Sequence, residues 1–172
     1  NGKIYSGSNY AGAEMGHKVI VYNGRDCTCG RKGCWETYSS ATGLINMTKE
    51  AILSERPDSS YMLKQVNGDL NKVSGLTAFN AMRAGDAAGI AVVEKYISYL
   101  ACGIVNAINI FQPDVLCIGG GISREGETLL SPLRTLVEQE RYTKHNDKQT
   151  VICTAELGND AGIIGAAFLA KE

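Results

Sequence analysis

The sequence predicts an α/β layered domain. Short apolar runs alternate along the chain with longer segments whose apolar residues recur every three or four positions. Glycine-rich turns mark the joints between them. No internal repeat or low-complexity tract interrupts this order, and strands alternating with helices build layered α/β domains.

Asn1-Gly2 is a two-residue hairpin signal, and Lys3-Ile4-Tyr5 reads as its returning strand. The departing strand is absent, so the chain is expected to be part of a longer protein. Gly7 to Gly16 reads as a loop, and Lys18 to Tyr22 as a short strand ended by Asn23-Gly24. From Thr37 to Leu53 the pattern is helical, with Pro57 and Asp58 as the stop. Leu63 to Gly75 is polar and fits neither period. A short helix is expected over Leu76 to Arg83, broken by Ala84-Gly85, with Asp86 as the N-cap of the next. Ile90, Val93, Ile97, Leu100, Ile104, Ile108 and Phe111 mark one face of that long helix, and Pro113 lies just past its end. Val115 to Ile118 reads as a short, buried strand entering Gly119-Gly120-Gly121. A helix is expected over Leu133 to Gln139 and a strand over Thr150 to Ala155. The turn Gly158-Asn159-Asp160 then leads to a closing helix, Ala161 to Ala170.

At 172 residues, 44% hydrophobic and 20% charged, the chain fits one globular domain with a real core. Its net charge of −1 offers nothing for nucleic acid or an anionic membrane to recognise. The apolar stretch Leu100 to Phe111 is short of the roughly 20 residues of a membrane span and is interrupted by Asn106 and Asn109. The opening residues carry no signal-peptide pattern. A soluble, cytoplasmic protein is expected.

The six cysteines form two groups. Cys102, Cys117 and Cys153 stand alone in apolar runs and read as small buried hydrophobes. Cys27, Cys29 and Cys34 crowd one short loop with Gly30 and Gly33 between them. Three sulfurs cannot all pair as disulfides, but they can converge on one tetrahedral zinc ion if a fourth ligand arrives. His17 is the natural candidate; His145 lies in a polar stretch and reads as a solvated surface residue. A redox-active or incidental cysteine cluster is the alternative, and iron–sulfur ligation lacks a nearby fourth thiolate.

Glu14-Met15-Gly16-His17 followed by Cys27-x-Cys29-Gly30-x-x-Gly33-Cys34-x-Glu36 resembles the signature of the ROK (repressor, open reading frame, kinase) family. The likeness continues through Ser40-Ala41-Thr42-Gly43, a stretch similar to bacterial glucokinases, and through Gly119–Gly121 and Gly158–Ala167. It implies the C-terminal domain, residues 1–172, of an actin-like (ribonuclease H-like) ATPase with a zinc-binding loop. His17, Cys27, Cys29 and Cys34 would hold zinc, while Glu14, His17 and Glu36 would contact a sugar. Carboxylates suit that task because each accepts hydrogen bonds from neighbouring hydroxyls, and charge-assisted bonds are the stronger kind.

A strand running into three glycines lets the backbone approach a ligand and present its N–H groups. By resemblance, ATP with Mg²⁺ lies against Gly119, Gly120 and Gly121. Gly158 to Gly162 has a similar context, though helix capping by Asp160 explains it equally well. No aspartate matches the family's catalytic base, Asp26, Asp58, Asp69 and Asp114 included, so no catalytic residue is assigned. The resemblance thus implies an ATP-dependent kinase acting on glucose, as a homodimer or homotetramer. Two other readings stand beside it: a sugar-sensing repressor, which alone would involve nucleic acid, and a kinase for an N-acetylated hexosamine.

Overall fold

A computed structural model describes residues 4–54 and 60–169. The hairpin tip at Asn1-Gly2 with Lys3, the Pro57–Asp58 stop and Ala170 lie outside the described residues. Ile4 and Tyr5 form no strand and are exposed; nothing among the described residues pairs with them. A single 3₁₀ turn, Met15–His17, leads into the cysteine loop. There the strand expected over Lys18 to Tyr22 shrinks to one antiparallel bridge, Val19 to Cys34. The ladder ends because the Gly33 carbonyl accepts from both Ile20 N and Val21 N, at 2.9 and 3.3 Å, which bends the chain.

The helix expected from Thr37 to Leu53 is two helices, α1 (Glu36–Ser39) and α2 (Ala41–Ser54). Ser40 separates them in an extended conformation, and its hydroxyl then accepts from Gly43 N at 3.1 Å. The polar stretch after residue 60 contains α3 (Tyr61–Gln65) and a 3₁₀ turn, Leu70–Lys72. A capping box between Ser74 and Thr77 opens α4 (Gly75–Arg83). Asp86 caps α5 (Ala87–Phe111) as expected, accepting from Gly89 N at 2.8 Å.

Helix α5 is the spine of the domain and packs against α2, α4 and α6 (Glu127–Glu140). Tyr96 and Ile104 on α5 meet Leu44 on α2, Phe79 on α4, and Leu129 and Leu133 on α6 in one buried cluster. Phe111, expected on the buried face, is exposed where the helix outruns its neighbours. At 25 residues α5 is long and apolar enough to cross a membrane, contrary to the sequence expectation. More than half of its most apolar window is buried within this chain, as a core helix requires.

Helix α6 starts well before Leu133 and runs through Pro132. The bond Pro132 forfeits is to the carbonyl of exposed Thr128, while Leu129, Leu130, Leu133 and Val137 bury the inner face. The sheet has two parallel strands, β1 (Val115–Ile118) and β2 (Val151–Thr154), with Cys117 opposite Cys153. Among the described residues only one face of it is covered. Ile118 and Ile152 are buried, whereas alternation turns Val115 and Val151 outward. The expected burial of β1 therefore fails, as does that of the lone cysteines: Cys117 is exposed and Cys102 and Cys153 are half-buried. A 3₁₀ turn, Gly158–Asp160, precedes the closing helix α7 (Ala161–Leu169).

Candidate functional site

The cysteine loop is a tight backbone device. Cys27 N donates to Arg31 O at 2.9 Å, Gly30 N to Cys27 O at 3.0 Å, and Gly33 N to Arg25 O at 2.7 Å. Gly33 has φ +79°, and a Cβ there would lie 1.7 Å from Val21 O, so no other residue fits. These reversals point the sulfurs inward. Cys34 and Cys27 are buried and Cys29 is exposed.

The four expected ligands converge. Their ligand atoms all lie within 4.8 Å of one another. Cys29 Sγ is 3.6 Å from Cys34 Sγ, and Cys27 Sγ is 3.6 Å from His17 Nδ1. A tetrahedral zinc site with Zn–S of about 2.3 Å and Zn–N of about 2.0–2.1 Å has edges of roughly 3.6–3.8 Å, which these two spacings match. Without a cation these donors hold protons against one another. The Cys29 N–H pulls the Cys27 thiol down, but burial and the neighbouring Glu36, Cys29 and Cys34 outweigh it and push it up to about 12. Burial likewise raises Cys34, while the Arg31 N–H and then Cys27 lower Cys29. The donor set of three thiols and one imidazole is of the kind that can hold a divalent cation.

Glu36 joins the cluster directly. Its Oε1 is 3.1 Å from Cys27 Sγ and 3.5 Å from His17 Nδ1, and its side chain rests over Gly16. It stands at the first position of α1. Glu14 sits just ahead of the Met15–His17 turn with its carbonyl accepting from His17 N at 3.1 Å. Glu14 is exposed, and no hydrogen bond or ion pair joins its carboxylate to the cluster among the described residues. His145 is exposed and remote in sequence from the cluster.

Two clefts meet at the break between α1 and α2. One, of about 700 Å³, is lined by Arg25, Glu36, Thr37, Ser40, Asn46 and Lys49 among others. The other, of about 450 Å³, is lined by Gly119, Gly120 and Gly121 together with Ser40, Leu76 and Tyr96. Ser40 borders both. The sequence pointed to the glycine triplet but not to Leu76 or Tyr96, which local periodicity assigns to a helix surface and a core. Nearby, Arg83 pairs with the buried carboxylate of Glu125, and Ser123 Oγ donates to Gly120 O at 2.7 Å, which steadies the triplet.

Fold and site together define an α/β domain with a cysteine–histidine cluster suited to a metal beside a glycine-lined cleft. The chain belongs to the ROK family, whose model matches residues 1–172, and it has that family's actin-like fold. A glucokinase of Halalkalibacterium halodurans is 38% identical over 176 residues, taking in 100% of this chain and 51% of that protein. The xylose repressor of Bacillus subtilis is 26% identical over 169 residues, with 98% of this chain and 39% of the repressor covered. A ROK family glucokinase from Streptomyces griseus, solved with glucose and AMPPNP, superposes with a TM-score of 0.87 at 29% identity, covering 98% of this chain and 54% of that one. The chain spans about half the length of the glucokinase it matches.

Proposed function

We propose that the chain is part of an ATP-dependent hexose kinase that phosphorylates glucose at its 6-hydroxyl. The observation that carries this reading is the contact of Glu36 with His17 and Cys27 inside the cysteine–histidine cluster. It ties a carboxylate, the group best suited to grip adjacent hydroxyls, to a donor set suited to zinc.

On this reading His17, Cys27, Cys29 and Cys34 hold a structural Zn²⁺, which supplies a fixed positive centre when bound. His17 turns Nδ1 toward the sulfurs and leaves Nε2 for a sugar hydroxyl. Glu14 and Glu36 accept from the neighbouring hydroxyls. The backbone of Gly119, Gly120 and Gly121 receives ATP with its Mg²⁺ across the cleft that Ser40 shares with the sugar side. Among the described aspartates, Asp26 and Asp114 pair with surface lysines and Asp69 caps a turn. Asp26 borders the cleft that Glu36 lines, but its Oδ1 is held by Lys32, so we place the base that takes the hydroxyl proton outside these residues. A protein using ATP this way works in the cytoplasm, and we read it as a homodimer or homotetramer.

The higher identity to the glucokinase, 38% against 26% for the repressor, supports a kinase over a sugar sensor. Titrating glucose, mannose, xylose and N-acetylated hexosamines into the 172-residue chain tests the site. Saturable glucose binding, strongly reduced in Glu36→Ala, is expected, with no turnover when ATP is added. Preference for xylose would favour the sensor reading, preference for an acetylated sugar the hexosamine kinase. Absence of any sugar binding would remove the proposal.

A further inference from the structure

We propose that Trp35, seated on Gly103 and clamped by Lys18, is a positioning residue that fixes the metal loop and Glu36 to the central helix. The proposal rests on the site reading above but stands on its own contacts. Two of the four ligands, His17 and Cys34, are each followed by a residue that reaches the opposite way, onto helix α5. Lys18 follows His17, and its Nζ donates to the Gly103 carbonyl. Trp35 follows Cys34, and its Nε1 donates to Tyr99 O at 2.9 Å. The two are joined to each other as well. Trp35 N donates to Lys18 O at 2.8 Å, and the Lys18 ammonium lies 4.2 Å from the centre of the indole ring.

The seat on α5 is shaped for the ring. A Cβ at Gly103 would fall 1.9 Å from Trp35 Cε2 and 2.2 Å from its Nε1, so the indole occupies the space of the missing side chain. Gly103 is buried in mid-helix, where glycine is less favourable than alanine. Contact with Trp35 accounts for its presence. The same turn of α5 carries Tyr99, whose ring lies 4.5 Å from that of Tyr38 in α1. Helix α5 therefore holds the chain on both sides of Glu36. The loop geometry is set by the core before any ion arrives, and the carboxylate moves with it.

The latch can be read without metal, because Cys34 is completely buried in the described structure. Alkylation of Cys34 by iodoacetamide, followed by peptide mass spectrometry on the metal-free 172-residue chain, reports its opening. Trp35→Phe, which keeps a ring but loses the Tyr99 bond, and Lys18→Met should each speed Cys34 labelling by about 5- to 10-fold at an unchanged helical melting midpoint. Gly103→Ala should speed it further, and should add nothing once Trp35 is Val, since the clash is then gone. In the metal-loaded chain the same variants should release zinc faster to a chromophoric chelator, in the same rank order. Unchanged Cys34 labelling in Trp35→Phe and Lys18→Met would overturn the latch, as would a Gly103→Ala effect that persists fully beside Trp35→Val. A wild-type chain that binds no zinc would sink the metal reading instead, leaving the latch to be judged by labelling alone.

Discussion

The metal loop and the glycine triplet both depend on glycine, for opposite reasons. In the loop the chain itself fills the vacated space: a Cβ at Gly33 would strike Val21 O at 1.7 Å. At Gly121 a Cβ would meet no described atom within 4 Å, and the backbone there is not left-handed. Nothing among the described residues requires glycine at that position. Gly33 is thus demanded by the loop's own contacts and Gly120 by its left-handed φ of +78°, whereas the space over Gly121 is left open. On the proposed reading, this difference sets a rigid sugar side against an open nucleotide side.

The largest test of that contrast is removal of the metal. One zinc per chain is expected by elemental analysis, and structural zinc sites contribute roughly 10–16 kcal/mol in apparent binding free energy. Chelation, or Cys34→Ser, should raise hydrogen exchange across residues 14–36 while leaving β1 and β2 unchanged. Equal loosening of both regions would break the comparison.

Next comes a pair of identical substitutions. Gly33→Ala should destabilise the chain by about 3 kcal/mol or more, through overpacking and a left-handed backbone. Gly121→Ala should stay within about 0.5 kcal/mol by urea unfolding, yet weaken an ATP analogue at least tenfold by calorimetry. If Gly121→Ala leaves nucleotide binding intact, the open cleft serves something else. On the sugar side, Glu14→Ala and Glu36→Ala should each weaken glucose by roughly 10- to 150-fold, the range set by about 1.5–3 kcal/mol for a charge-assisted hydrogen bond. ATP-analogue affinity should not change in either. Equal losses for both ligands would indicate general unfolding.

Much of this was legible in the sequence because it is local. Asp86 caps α5, the α5 stripe is largely buried, and His17 meets Cys27, Cys29 and Cys34 within one short span. What escaped depends on distant contacts. Nothing near Gly103 announces a tryptophan, and the lysine that bonds its carbonyl is 85 positions away. The break at Ser40 is hidden because Thr37 to Leu53 keeps helical composition on both sides of it. The exposure of Val115 and Cys117 could not be read from an apolar run, which looks the same whether one face is covered or two. Pro132 concealed the first half of α6, since the packing of Leu129 and Leu130 outweighs the bond it removes.

Tyr96 offers the finest test, because it joins the two regions. It is 1% exposed, and its hydroxyl donates to Ser39 O at 2.9 Å, beside the Ser40 break. Its ring also lines the cleft of the glycine triplet. Burial pushes its phenol up to about 12, from an ordinary value of about 10. Between those values the folded chain keeps a proton that the unfolded chain has released. Stability from this group is therefore complete below pH 10 and is lost as pH rises toward 12, by at most about 2–3 kcal/mol. The exposed Lys148, raised by its bond to Asp114, falls away in the same direction but is common to wild type and variant. Tyr96→Phe should cost about 1 kcal/mol at pH 7, from the lost hydrogen bond, and should flatten the alkaline decline. Urea midpoints at pH 7, 10 and 11 for both chains measure this, and parallel declines would mean that the phenol is free to ionise in the folded state.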